Sequence, residues 1–147
     1  MYRQIIYCSR LKCAYGVKDV YTILKKSRVK NARLGVSGFL LYKDNRFLQV
    51  IEGFNGSVSN LFRIIQDDLR HEEVKLITND RTRLLQFENW YMGYSSLMDD
   101  ISLEISEYLS SIGQRDVFDP FKIQPSEVRK LFSLFSNAIH NRSEVIF

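Results

Sequence analysis

Between residues 3 and 94 the spacing of apolar side chains switches from two residues to between three and four and back again, and it does so twice. Few folds accept that order, because the alternating segments must share a sheet while each helical segment buries one stripe against it. In residues 3–10, Ile5, Tyr7 and Ser9 fall on one face and Ile6 and Cys8 on the other, a composition suited to a pleated surface. Residues 17–30 place Val17, Val20, Ile23 or Leu24, and Ser27 at helical spacing, with Lys25, Lys26, Arg28 and Lys30 toward the C-terminal end and Asn31 closing the helix. Residues 36–42 and 47–51 form two apolar runs joined by Lys43-Asp44-Asn45-Arg46, a connection of hairpin length. Residues 57–70 carry Val58, Leu61, Phe62, Ile65 and Leu69 on one helical face, with N-cap candidates in Asn55-Gly56-Ser57. Residues 74–79 and 87–94 complete the set as strands.

The resulting order, β-α-β-β-α-β-β, predicts a ferredoxin-like α/β sandwich with two helices on one sheet face and the first and third strands adjacent at its centre. Beyond residue 97 the pattern is helical only. Ile101, Ile105, Tyr108, Leu109 and Ile112 make one stripe ending at Gly113, and Val128, Leu131, Phe132, Phe135 and Ile139 make another after Pro125. These helices are expected to cover the opposite sheet face, giving a division into residues 1–97 and a two-helix extension, 98–147, packed on the sheet.

Composition narrows the class. The chain has 147 residues, 45% of them hydrophobic, with only two prolines, enough for one domain with a real core and incompatible with overall disorder. It contains no apolar run near the ~20 residues of a membrane span and no signal-peptide core, so a cytoplasmic protein with no membrane partner is expected. Cys8 and Cys13 lack the spacing and companion ligands of a zinc site and are expected to be reduced thiols. The net charge of +4 permits nucleic-acid binding without implying it, and the basic residues of the first helix have the composition of a solvated face.

Catalytic signatures are missing: there are two histidines, no G-x-S-x-G elbow, no phosphate loop and no dinucleotide fingerprint. The two G-x-x-G strings, Gly35 to Gly38 and Gly53 to Gly56, have no basic residue within them and suit backbone turns. What stands out is polarity within core strands. Gln49 interrupts the run Phe47-Leu48-Gln49-Val50-Ile51 and Tyr7 sits mid-strand. An unmet buried amide costs about 1–3 kcal/mol, so Gln49 needs a partner, either Tyr7 across adjacent strands or solvent.

Taken together, Tyr7-Cys8-Ser9-Arg10, Ser27 with Asn31, Gly35 through Tyr42, Phe47 through Gly53, Asp68-Leu69-Arg70-His71, and Phe87 with Trp90-Tyr91-Met92-Gly93 resemble the BLUF family of blue-light sensors using flavin, in order and spacing over residues 2–95. The resemblance implies a flavin, usually FAD with FMN or riboflavin as alternatives, held between the first two helices. It implies Tyr7 as photochemical electron and proton donor, Gln49 as the switching amide, and Asn31 as a ligand of the flavin ring. Trp90 and Met92 match a fifth-strand pair that relays the signal, and Ser9, Asp68, Arg70 and His71 match positions at the cofactor. The chain departs from the family at Lys30, Tyr91 and Ile64, the last at a site where some members place an arginine near the cofactor, with Arg63 as the nearest substitute. A photoreceptor without an enzymatic output domain is expected, signalling to a downstream protein. The phenylalanines Phe118, Phe121, Phe132, Phe135 and Phe147 suggest a homo-oligomeric or partner interface. The competing expectations are a light-insensitive interaction domain and an RNA-binding sheet.

Overall fold

In the computed structural model, which describes residues 1–12, 16–97 and 101–141, the first alternating segment is β1 (Tyr2–Leu11). Helix α1 (Val17–Leu34) follows, then the hairpin β2 (Ser37–Lys43) and β3 (Arg46–Phe54), α2 (Asn55–Gln66), β4 (His71–Thr82) and a short β5 (Gly93–Ser95). Helices α3 (Leu103–Ser111) and α4 (Pro125–His140) complete the described chain, separated by a single 3-10 turn at Pro120–Lys122. Cys13 and Phe147 lie outside the described residues.

The strands line up as β4-β1-β3-β2-β5, antiparallel throughout except for the β2–β5 pair. The expected sandwich is present, with β1 beside β3 and Tyr7 opposite Gln49 in their register. Asp44 and Asn45 make the β2–β3 turn, both at positive φ (54° and 63°), which Asp and Asn tolerate better than most residues.

Period-two alternation divides the core. Ile5, Tyr7, Leu40, Phe47 and Ile51 face α1 and α2, where they meet Val20, Leu24, Val58 and Leu61. Ile6, Cys8, Phe39, Leu41, Leu48 and Val50 face the opposite way and are covered by Ile105 and Leu109 of α3 and Val128, Leu131, Phe132 and Phe135 of α4. Both faces of the sheet are therefore occupied, which removes the open platform that an RNA-stacking sheet requires. Phe118, Phe132 and Phe135 are buried in this internal layer and Phe121 is half-buried, so these four pack within the chain rather than standing exposed for an interface.

Several boundaries differ from the sequence reading. Helix α1 runs four residues past Lys30, so Asn31 lies within it rather than closing it. Gly35, at φ 66°, ends it, with Val36 N–H donating to the Asn31 carbonyl at 2.9 Å. Helix α2 begins at Asn55, with Phe54 in the cap position and no side-chain cap, and stops at Gln66 because the chain turns at Asp67 and Asp68 to start β4. The strand expected over residues 87–94 is reduced to Gly93–Ser95. Residues 86–92 instead form an irregular strap, in which Asn89 takes φ 68° and the Trp90 carbonyl accepts from Gly38 N–H at 2.7 Å.

Candidate functional site

Helices α1 and α2 part over the centre of the sheet, and the space between them is a cleft of about 150 Å³. Its floor is laid by alternation: Tyr7 from β1, Gln49 from β3 and Leu40 from β2 project from the same face, and Met92 enters from the strap. Leu24 and Asn31 of α1 and Leu61 and Ile65 of α2 make the walls.

The Tyr7 hydroxyl donates to Gln49 Oε1, and Gln49 Nε2 donates to Met92 Sδ at 3.2 Å. The two side chains that broke the apolar pattern thus satisfy each other across adjacent strands. The remaining partner is a thioether, a weak acceptor, so the carboxamide keeps donor capacity for something stronger. Tyr7 is 2% exposed and packs on Phe62 with ring centroids 5.4 Å apart. Burial, and after it the Asp68 charge, pushes its hydroxyl well above the usual tyrosine range, so it is neutral.

Asn31, 2% exposed, donates through Nδ2 to the Tyr91 carbonyl at 2.7 Å, and Arg28 Nε donates to the Met92 carbonyl at 2.9 Å. Two residues of α1 therefore fix the end of the strap at the cleft. At the far side, His71 Nε2–H donates to the Ile65 carbonyl at 2.5 Å, and its Nδ1 is hydrogen-bonded with the Ser9 hydroxyl at 3.1 Å. Arg70 grips Asp68 at 2.6 Å, and that guanidinium holds the Asp68 carboxyl down at about 2.

Tyr7, Ser9, Asn31, Gln49, Asp68, Arg70, His71 and Met92 all line the cleft. Arg63 and Trp90 do not. Arg63 is exposed on α2, where helical rotation presents Ile64 to the cleft in its stead. Trp90 is half-buried on the opposite side of the sheet, against Phe39 at 6.2 Å between centroids. Two contributions escaped the sequence reading. Lys26 and Lys30 line the cleft, as their i, i+4 spacing beside Ile23 and Ser27 permits, and Arg28 is tied to the strap rather than solvated.

The donor set suits a flavin ring. A planar heterocycle with carbonyls and ring nitrogens along one edge needs mixed donors and acceptors there and apolar faces beside them. The Tyr7 hydroxyl and the Gln49 and Asn31 carboxamides, set between aliphatic walls, supply both. No group of three or more metal-ligating side chains occurs among the described residues, and no helix among them is long and apolar enough to cross a membrane.

The chain is 38% identical over 74 residues to the photoactivated adenylate cyclase subunit beta of Euglena gracilis, a match covering 50% of this chain and 8% of that relative, so it spans only a small part of the curated protein. It superposes on BlrB, a BLUF protein in its dark state, with a TM-score of 0.73 and 29% identity, over 93% of this chain and 96% of that one. Klebsiella pneumoniae BlrP1, solved with FMN and cyclic diGMP, matches with a TM-score of 0.62 and 30% identity, over 66% of this chain and 26% of that one. The model of the family described as sensors of blue light using FAD matches residues 2–93, and the chain accordingly belongs to the BLUF family.

Proposed function

We propose that the α1–α2 cleft binds a flavin, as FAD, and that the chain is a blue-light receptor signalling through Tyr7, Gln49 and Met92 to a protein partner. When bound, the flavin supplies blue-light absorption and an electron acceptor. The observation that carries the reading is the unbroken path at the cleft floor, from the Tyr7 hydroxyl through the Gln49 carboxamide to Met92 Sδ.

The chain's own residues explain why such a path responds to light. Tyr7 is held neutral, so its proton is available, and an oxidised phenol is strongly acidic and releases that proton along the hydrogen bond it already makes to Gln49 Oε1. Gln49 answers by rotation or tautomerisation of its amide, and either change alters the bond to Met92. Asn31 and Arg28 hold the carbonyls of Tyr91 and Met92, so a change at Met92 is delivered to the strap rather than lost in solvent. Ser9, His71, Asp68 and Arg70 order the α2 side of the cleft, and Trp90 is assigned to the output side, where it touches Phe39. The strap also reaches α4, because the Ser136 hydroxyl donates to the Gln86 carbonyl at 2.9 Å and Gln86 Nε2 to Ser133 Oγ at 3.3 Å. We take residues 1–97 as the sensor and residues 98–147 as the extension that presents its output to the partner.

Tyr7→Phe tests the roles of the residues. It removes one hydroxyl from an almost unchanged shape, so flavin affinity falls about tenfold or less, while the light-induced shift of the flavin bands disappears. A Tyr7→Phe protein that still shifts reversibly would overturn the assignment.

A further inference from the structure

The sheet face opposite the cleft carries a polar chain that begins at Glu52. This residue, fully buried in β3, stands opposite Gln4 of β1 and Ser37 of β2 in register. Its Oε1 accepts from Phe87 N–H at 2.5 Å and its Oε2 from Gln4 Nε2 at 3.1 Å. Gln4 Nε2 also donates to Gln86 Oε1 at 3.0 Å, and Gln86 Nε2 donates to Ser133 Oγ at 3.3 Å. One series of hydrogen bonds thus runs from β3 through β1 and the strap to α4.

The direction of every bond in that series is set at Glu52. An ionised carboxylate only accepts, so Gln4 turns its NH₂ toward it, and the second hydrogen of that NH₂ meets the Gln86 oxygen. Gln86 is thereby left to donate to Ser133. A proton on the carboxyl changes the first link. Phe87 N–H is a backbone donor and cannot reverse, so Oε1 stays an acceptor and the hydroxyl forms at Oε2, facing a carboxamide that can turn over. Gln4 then presents its oxygen, Gln86 presents its NH₂ to Gln4, and Ser133 donates where it had accepted.

We propose that Glu52, Gln4 and Gln86 form a proton-set relay to α4, in which ionised Glu52 makes the strap a donor to Ser133 and protonated Glu52 makes it an acceptor. The relay goes beyond the light-sensing reading and adds acidity as a second input to the same output helix. Burial raises the Glu52 carboxyl above its usual value of 4.5, and its hydrogen bonds oppose that rise. The groups that meet it are uncharged: Gln4 from β1, Ser37 from β2, and the backbone of Gln86 and Phe87 from the strap. No ion pair reaches it among the described residues. Further along the chain, β4 places Asp80 opposite Gln4, where it is paired with Arg129 of α4 at 3.1 Å. On α4 itself, His140 Nδ1 is 3.5 Å from Ser136 Oγ.

An NMR titration of the isotope-labelled full chain in the dark tests this, independently of any response to light. The Phe87 amide, the side-chain amides of Gln4 and Gln86 and the Ser133 amide should move with one common midpoint above 4.5. His140→Gln should leave that midpoint in place. In Glu52→Gln the new carboxamide accepts through its oxygen and donates through its nitrogen, as the protonated acid does. The same signals should then hold their acid-form positions at every pH. Gln4→Leu cuts the chain at its second link, so Phe87 should still titrate while Ser133 loses its dependence, a result that stands even if Glu52→Gln does not fold. No midpoint between 4.5 and about 9 in the native chain would overturn the relay. Base-form positions in Glu52→Gln, or a Ser133 signal that still titrates in Gln4→Leu, would do the same. So would a native titration confined to Phe87 and Ser37, which directs the proton toward β2 instead of β1.

Discussion

Two side chains carry the argument at the residue scale because they are expensive where they stand. A glutamine and a tyrosine in adjacent central strands are legible in the sequence as a polar interruption, and the β1–β3 register shows that each satisfies the other. Met92 as the second partner of Gln49 was not derivable from spacing, since it depends on an irregular segment entering the cleft. A third polar residue, Glu52, follows the same logic on the other sheet face. It is fully buried, and its carboxylate accepts from Phe87 N–H at 2.5 Å and from Gln4 Nε2 at 3.1 Å. Burial pushes its carboxyl above the usual value of 4.5, and the hydrogen bonds offset part of that rise. An acid whose pKa is higher in the folded state contributes stability that is complete below the unfolded value and is lost as pH rises through the folded one. Glu52→Gln removes this dependence. Its stability relative to the native protein, measured by urea unfolding, should therefore increase as pH is raised from about 4.5. A difference that stays constant across that interval would show that Glu52 does not titrate on unfolding.

At the scale of elements, long periodic segments were easy to read and their ends were not. The end of α1 is set by Gly35 entering the left-handed region, a choice no periodicity encodes, and it moves Asn31 from a terminus into a wall of the cleft. The strap is the largest departure. Residues 87–94 have strand composition, yet the segment is pinned by tertiary bonds: Glu52 to Phe87, Gly38 to Trp90, Asn31 to Tyr91 and Arg28 to Met92. Only Gly93–Ser95 then lies alongside β2. Gly93 permits that approach, because a Cβ there would lie 2.4 Å from the Phe39 ring, which is itself buried against Phe87 and Phe135. Gly93→Ala should cost about 1–3 kcal/mol in urea unfolding. Because β5 and the strap are continuous, it should also change the strap's signals in NMR spectra. An alanine variant of native stability with an unchanged spectrum would contradict this packing.

For the whole molecule, the three-layer arrangement follows from the order of periods: α1 and α2 pack on one sheet face, α3 and α4 on the other. That much was legible because each layer repeats a simple pattern. The role of the tail's phenylalanines was not, since an apolar helix stripe reads alike whether it meets its own sheet or another chain. The same arrangement separates the cleft from α4 by one sheet, and the strap touches both. In the function proposed above, a light response begun at Gln49 thus has a covalent and hydrogen-bonded route to the far side. The most direct test of the account is the absorption spectrum of the purified full chain, loaded with FAD, before and after blue illumination. The account predicts flavin bands that shift to the red in light and return in the dark. Flavin bands that do not move, or a chain that takes up no flavin, would contradict it.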